Sequence, residues 1–481
     1  MTKRNTSQPG RNRINRLPDE VLREIFLQYN CMGNGSTMCL LRVCRIWKSI
    51  VSSTSALWNR ICFAPILIIR KFESFRIDEL ASYITCATSQ QLARAIRRLH
   101  NTKFELICCL IPELCSTDSS YWEELEPVWF EQQCRSLSLL VEGSLDRFPH
   151  LFHKMGALEE FAVFDMNYSY LNMFRELELF SPRLHTLVIR GELPSEISRF
   201  TILFSRLKSL ALQSSYLPDS CLCDLLAAAT SLEELDLDES TQPDFATRLT
   251  TCSNKLSHVA LVNAGISLFT GSGAYAQVVD LEIRFTNNKA WPFNENHLEI
   301  EMPLLQSLVL EGKWTALRCV RATALRFLRL GRSKEAMKER LEHIHTTQLR
   351  PQVLRIDRCV AESELISVLQ TTWEDISELH ITVSSRNDYL RAPLIKAMSG
   401  PRGREPICPK LRTITVLLLK PEAAHGHLIG AMTQSMKFIE MGRRHLRNLE
   451  LLRCGWVQWT GGKLYDGGME TWPNQEWIDF V

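Results

Sequence analysis

Chemistry in this chain of 481 residues would have to begin at four short patterns: His343-x-His345, His425-x-His427, Cys221-x-Cys223 and Gly271-Ser272-Gly273. Imidazoles two residues apart can open a zinc site, but they need Cys, Asp or Glu companions at ligand spacing, and neither pair has them. Cys221 and Cys223 lie inside the apolar run DSCLCDLLAAA, where a reduced cysteine packs as a small hydrophobe. The Gly-Ser-Gly run lacks the preceding strand, third glycine or lysine of a loop that cradles phosphate. The chain is therefore expected to be no enzyme, and to need no metal and no cofactor. Its work is expected to be binding.

Composition narrows what it would bind. Lys and Arg number 56 and Asp and Glu 54, a formal net charge of +2, so neither nucleic acid nor a membrane is an expected partner. The longest apolar runs, such as Cys62 to Ile69, fall far short of the ~18 residues a membrane span needs. The arm Met1 to Arg16 carries Lys3, Arg4, Arg11, Arg13 and Arg16 and has no apolar core of a secretory signal. It reads as a solvated tail, with a nuclear-import signal as the alternative. Sixteen cysteines without a single C-x-x-C suit a reducing compartment, so a cytoplasmic or nuclear location is expected.

The elements that would do the binding begin at LPDEVLREIF, residues 17 to 26. Val21, Leu22, Ile25, Phe26 and Tyr29 form one apolar face of a helix, with Pro18 at its first position and Asp19 and Glu20 at the positive end of its dipole. The turn-prone NCMGNGST follows, then CLLRVCRIWKSIV, where Leu40, Val43, Cys44, Trp47, Ile50 and Val51 make a stripe that Leu41 and Ile46 broaden. Thr54 or Ser55 can cap a third short helix with Leu57, Trp58 and Ile61. About half of the residues from Ile14 to Phe63 are apolar, more than a segment of that size can bury alone. These helices either pack on the domain that follows or dock a partner.

The succession LP-x-E-V-L-x-E-I-F, V-C-R-x-W-K-x-I and S-x-L-W-x-x-I resembles the F-box, as found at the front of many fungal F-box proteins. That resemblance implies a three-helix module that binds the Skp adaptor of a cullin-RING (SCF) ubiquitin ligase. By position it implies that Leu17 and Pro18 open the adaptor contact and that Ile25, Phe26, Leu41, Val43 and Trp47 make or support it. The polar, glycine-containing loop from Asn30 to Met38 departs from the pattern, since many F-boxes continue there with an apolar step.

Beyond residue 130 one signature recurs, L-x-x-L-x-L, as in LHTLVI, LKSLAL, LEELDL, LQSLVL and LRNLEL. Exact and looser copies end at Leu139, Val163, Ile189, Leu212, Leu237, Leu261, Ile283, Leu310, Leu330, Ile356, Ile381, Val416 and Leu451. Each predicts a short strand whose last two apolar side chains point inward. Between strands come helix-like pieces, with Met337, Leu341 and Ile344 on one face of KEAMKERLEHIH and Leu365, Ile366 and Leu369 on one face of SELISVLQT. A strand and a helix every ~20–29 residues is the leucine-rich-repeat solution, here degenerate, since only Cys454 clearly fills the Asn/Cys position that follows the last leucine.

The expected fold class is α/β: an N-terminal three-helix F-box followed by a leucine-rich-repeat-like solenoid with a parallel concave sheet and convex helices. The expected division is a disordered basic arm at 1–13, the F-box at 14–63 and a linker or capping repeat at 64–133. The solenoid follows at 134–454 and a Trp-rich cap or tail at 455–481. Outward strand positions would form the inner wall that meets a protein target. They are Glu234, Asp236 and Asp238, then His258, then Asp280, Glu282 and Arg284, with Arg329, Arg332 and Arg355 turning the wall basic further on. The expected function is the substrate-recognition subunit of an SCF-type E3 ubiquitin ligase. The competing expectation is an interaction scaffold in which the F-box-like helices only cap the solenoid.

Overall fold

A computed structural model describes residues 17–31, 37–63, 84–86, 89–97, 103–110, 134–141, 155–166, 171–191, 195–213, 219–238, 253–262, 274–285, 300–312, 315–318, 320–333, 349–357, 375–384, 408–420, 451–458 and 476–480, with single positions at 99, 193, 339, 342–344, 347, 366 and 369. The chain divides into two compact units, Met1–Leu217 and Pro218–Val481.

The first unit opens with α1 (Asp19–Cys31), α2 (Thr37–Leu40) and α3 (Arg45–Ser53). The carbonyl of Pro18 accepts the Leu22 N–H at 3.0 Å, so the proline starts α1 without losing a bond. Cys44 caps α3, its sulfur accepting the Trp47 N–H at 3.5 Å. At the other end the Thr54 hydroxyl donates to Ile50 O at 2.7 Å, and the Trp58 indole N–H donates to Val51 O at 2.8 Å. These bonds clamp a 3-10 turn, Ser55–Trp58, onto α3. The third helix expected from sequence is therefore only this turn. Ile61, placed on that helix by its spacing, stands instead in β1 (Arg60–Phe63). Parallel pairing on both sides, with β2 (Ile84–Cys86) and β3 (Phe104–Leu110), gives RICF more backbone bonds than a helix end could.

From β3 the sheet continues in parallel through β4 (Cys134–Val141), β5 (Glu160–Met166), β6 (Thr186–Gly191) and β7 (Ser209–Gln213). Leu106, Leu137, Phe161, Leu187 and Leu210 stand in one register row, and all are buried. Each such side chain contributes about 1.5–3 kcal/mol of burial. The amphipathic stretch QLARAIRRL is α4 (Ser89–Arg97), with Leu92 and Ile96 buried. Two further helices, α5 (Leu171–Phe180) and α6 (Thr201–Ser205), satisfy each other's ends. The Glu178 carboxylate accepts the N–H groups of Ile202 and Leu203, both at 3.1 Å. Arg206 in turn donates to the carbonyls of Leu177 and Glu178 at 3.0 and 3.2 Å.

The second unit begins with α7 (Asp219–Ala228) and β8 (Glu234–Leu237), and its parallel sheet continues through β9 (His258–Val262) and β10 (Asp280–Arg284). A small strand, β11 (Ile300–Glu301), precedes β12 (Ser307–Gly312), and another, β13 (Val320–Arg321), precedes β14 (Phe327–Ser333). The main sheet passes from β10 to β12 to β14, then to β15 (Val353–Asp357), β16 (Glu378–Ser384), β17 (Thr413–Lys420) and β18 (Leu451–Gln458). Its last strand, β19 (Glu476–Phe480), pairs antiparallel with β18 and sets Trp477 opposite Gly455. All thirteen strand positions read from the repeat signature are strands. Most of the connections where outer helices are expected lie outside the described residues. Between β12 and β14 the described residues form a 3-10 turn, Thr315–Arg318, and β13, which pairs with β11. Of KEAMKERLEHIH, Ile344 is helical and buried while Met337 and Leu341 lie outside the described residues; of SELISVLQT, Leu369 is buried, Ile366 is half-buried and Leu365 lies outside them.

One glycine is required where a strand ends. Gly312 adopts φ +89°, and a Cβ there would stand 2.1 Å from the Phe285 carbonyl oxygen. That close approach lets the Phe285 N–H reach Glu311 O at 2.7 Å. Gly312→Ala is expected to lower stability by more than about 2 kcal/mol, since it combines a backbone strain with a clash against main chain. Urea unfolding measures this, and a loss below ~0.5 kcal/mol would show that this turn relaxes freely.

Candidate functional site

In α1 the apolar residues split between two faces. Leu22 and Phe26 point inward, and the Phe26 ring meets Trp47 at 4.6 Å between centroids. Leu17, just before α1, and Val21 and Ile25 on it stay on the surface, as do Val43 in the turn before α3 and Ile46 in its first turn; all five are between 36% and 56% exposed. Among the described residues only Leu179, Ile202 and Leu304 are comparably exposed large hydrophobics. Arg23, Glu24, Arg42, Arg45 and Lys48, interspersed with the five along the chain, are exposed too. Exposed large hydrophobics mixed with charged side chains are the composition of a protein-binding surface.

Of the seven residues singled out from sequence, Leu17, Pro18, Ile25 and Val43 are exposed and Leu41 and Trp47 are half-buried. Phe26 is 1% exposed and belongs to the core. Val21 and Ile46 are exposed as well, beyond the contact positions that the F-box resemblance implies. The signal for Val21 was its position midway between Leu17 and Ile25, four residues from each. Ile46 had shown itself only as apolar coverage beyond the main stripe of α3.

Residues 14–64 match the family model described as F-box-like. They are an F-box-like domain. Among curated proteins none matches the chain. The F-box-like domain includes β1, and β1 lies between β2 and β3 in the sheet of its own unit. The Glu105 N–H donates to Asn59 O at 2.7 Å, and Arg60 pairs with Glu105 at 3.2 Å across the same boundary. Through β1 the F-box-like domain is itself part of that sheet.

The second candidate surface is the outward side of the sheet in the second unit. There Leu235 and Leu237 are buried, Glu234 is exposed, and Asp236 and Asp238 are half-buried, the alternation a strand imposes. His258 stands in register between Glu234 and Asp280. Its Nε2 is 2.8 Å from the Asp280 carboxylate and its Nδ1 2.8 Å from the Ser257 hydroxyl. This Ser-His-Asp chain is a cross-strand tie. The Ser257 hydroxyl donates to Glu233 O at 3.2 Å, and the N–H groups of Ser257 and His258 donate to the same oxygen at 2.9 and 3.1 Å, so neither is available to an oxyanion. Arg284 pairs with Glu282 and lies 4.0 Å from Glu311.

The expected basic continuation of this wall is different. Arg329 and Arg355 are each only 7% exposed, and both donate through Nε to Asp357, at 2.6 and 3.0 Å. Burial alone would raise the Asp357 carboxyl, but the two guanidiniums outweigh it and hold the group below the usual carboxylate range. Alternation had put both arginines on the right face but could not show that they are sheltered there. The side chain of Arg332 lies outside the described residues.

As for the chemical patterns, Cys221 and Cys223 are half-buried in α7 and His343 is buried, while His345, His425, His427 and Gly271 to Gly273 lie outside the described residues. Burial pushes the Cys134 thiol up to about 12 and the Cys86 thiol up to about 11, which leaves them protonated at neutral pH. Among the described residues no three His, Cys, Asp or Glu side chains gather as a metal site, and no helix is long and apolar enough to cross a membrane.

Proposed function

We propose that this chain is the target-recognition subunit of an SCF-type E3 ubiquitin ligase. Its F-box-like domain docks a Skp adaptor, and through it a cullin-RING ligase, while the parallel sheet binds a target protein. On this reading the chain works in the cytoplasm or nucleus, catalyses nothing itself and needs no cofactor. The observation that carries the proposal is the exposure of five large hydrophobics, Leu17, Val21, Ile25, Val43 and Ile46, within residues 14–64. A domain that served only to close the end of the sheet would need its buried side, Leu22, Phe26, Trp58 and β1, and would have no use for five exposed hydrophobics. Direct titration of the purified full-length chain with purified Skp adaptor tests this; a folded chain that gives no binding signal at micromolar concentrations would refute it.

For the target, the proposed contact is the outward face of β8 to β10, with Glu234, Asp236, Asp238, Asp280, Glu282 and Arg284. Arg329 and Arg355, sheltered on β14 and β15 and bound to Asp357, take no part in that contact. Changing Glu234, Asp236 and Asp280 to Lys is expected to weaken target capture at least about tenfold and to alter its salt dependence, since charge on an interface sets steering and register. Adaptor binding is expected to be unchanged, because none of the three lies in the F-box-like domain. Quantitative capture with the proteasome blocked measures both, and equal target recovery by the folded triple variant would move recognition to another surface.

A further inference from the structure

We draw no further inference here: the strongest candidate, the uncharged row that Ile107, Ser138, Ala162, Val188 and Ala211 form in register on the outward side of β3 to β7, carries nothing because nothing in the structure shows what covers it.

Discussion

On the proposed function, Val43→Glu combined with Ile46→Glu is expected to weaken capture of the Skp adaptor by at least about 100-fold and to leave thermal unfolding within a degree or two of the parent. Both residues are already about half exposed, so a carboxylate at either position stays in water in the free chain. In the complex the same two carboxylates would be buried against an apolar surface without a partner. Leu17→Ala with Pro18→Ala is the milder version, since truncation removes contact area without adding a charge. Phe26→Ala provides the contrast: it should cost about 3–5 kcal/mol of stability because it opens a cavity against Trp47. Isothermal titration and a thermal melt on the same samples separate surface from core. Near-parental affinity in the folded Glu variant would remove Val43 and Ile46 from the interface.

Asp357→Ala is expected to be the most damaging single change in the second unit, at about 3–5 kcal/mol, because it leaves two sheltered guanidiniums facing each other without their shared carboxylate. The exposed pair of Lys410 with Asp375 gives the scale for comparison, since breaking a surface pair costs about 0–1 kcal/mol. The acid dependence follows from the same group. Its folded-state pKa is lowered relative to the unfolded value of about 3.9, so its stabilisation is present above that value and fades as pH falls through the folded-state pKa. Parent stability should therefore drop as pH falls from about 5, and the Asp357→Ala variant should show a shallower decline over that window. Denaturant unfolding at a series of pH values checks both statements. Parallel acid limbs in the two proteins would mean that other carboxylates set the acid response.

The repeat strands were legible because their signal is local. In LEELDL and LQSLVL the inward leucines alternate with polar or small residues, and that alternation is both the strand and its buried face. β1 and β3 were harder. RICF continues directly from the 3-10 turn, and FELICCL is a nearly continuous apolar run, so neither shows the period of two that would separate a strand from a buried helix. β11 and β13 are two residues each and leave no pattern at all. Gly312 looked like any other glycine, since its need arises from the Phe285 carbonyl of the preceding strand's end.

The candidate surfaces divide the same way. The pattern LP-x-E-V-L-x-E-I-F was enough to locate the F-box-like domain, and helical spacing came close to its exposed face. It did not separate Phe26, which turns inward, from Ile25, which does not, because both sit on the apolar side of a helical wheel and only packing against Trp47 distinguishes them. Arg329 and Asp357 are 28 residues apart and meet only because β14 and β15 are neighbours, so their burial was invisible before the sheet was assembled.

The most direct test of the central claim is purification of the tagged full-length chain from cells, followed by quantification of the Skp adaptor and cullin that accompany it. The proposal predicts adaptor and cullin in near-equal amount to the parent chain and neither with the Val43→Glu, Ile46→Glu variant. Parent chain recovered folded and abundant, with no adaptor and no cullin, would contradict it.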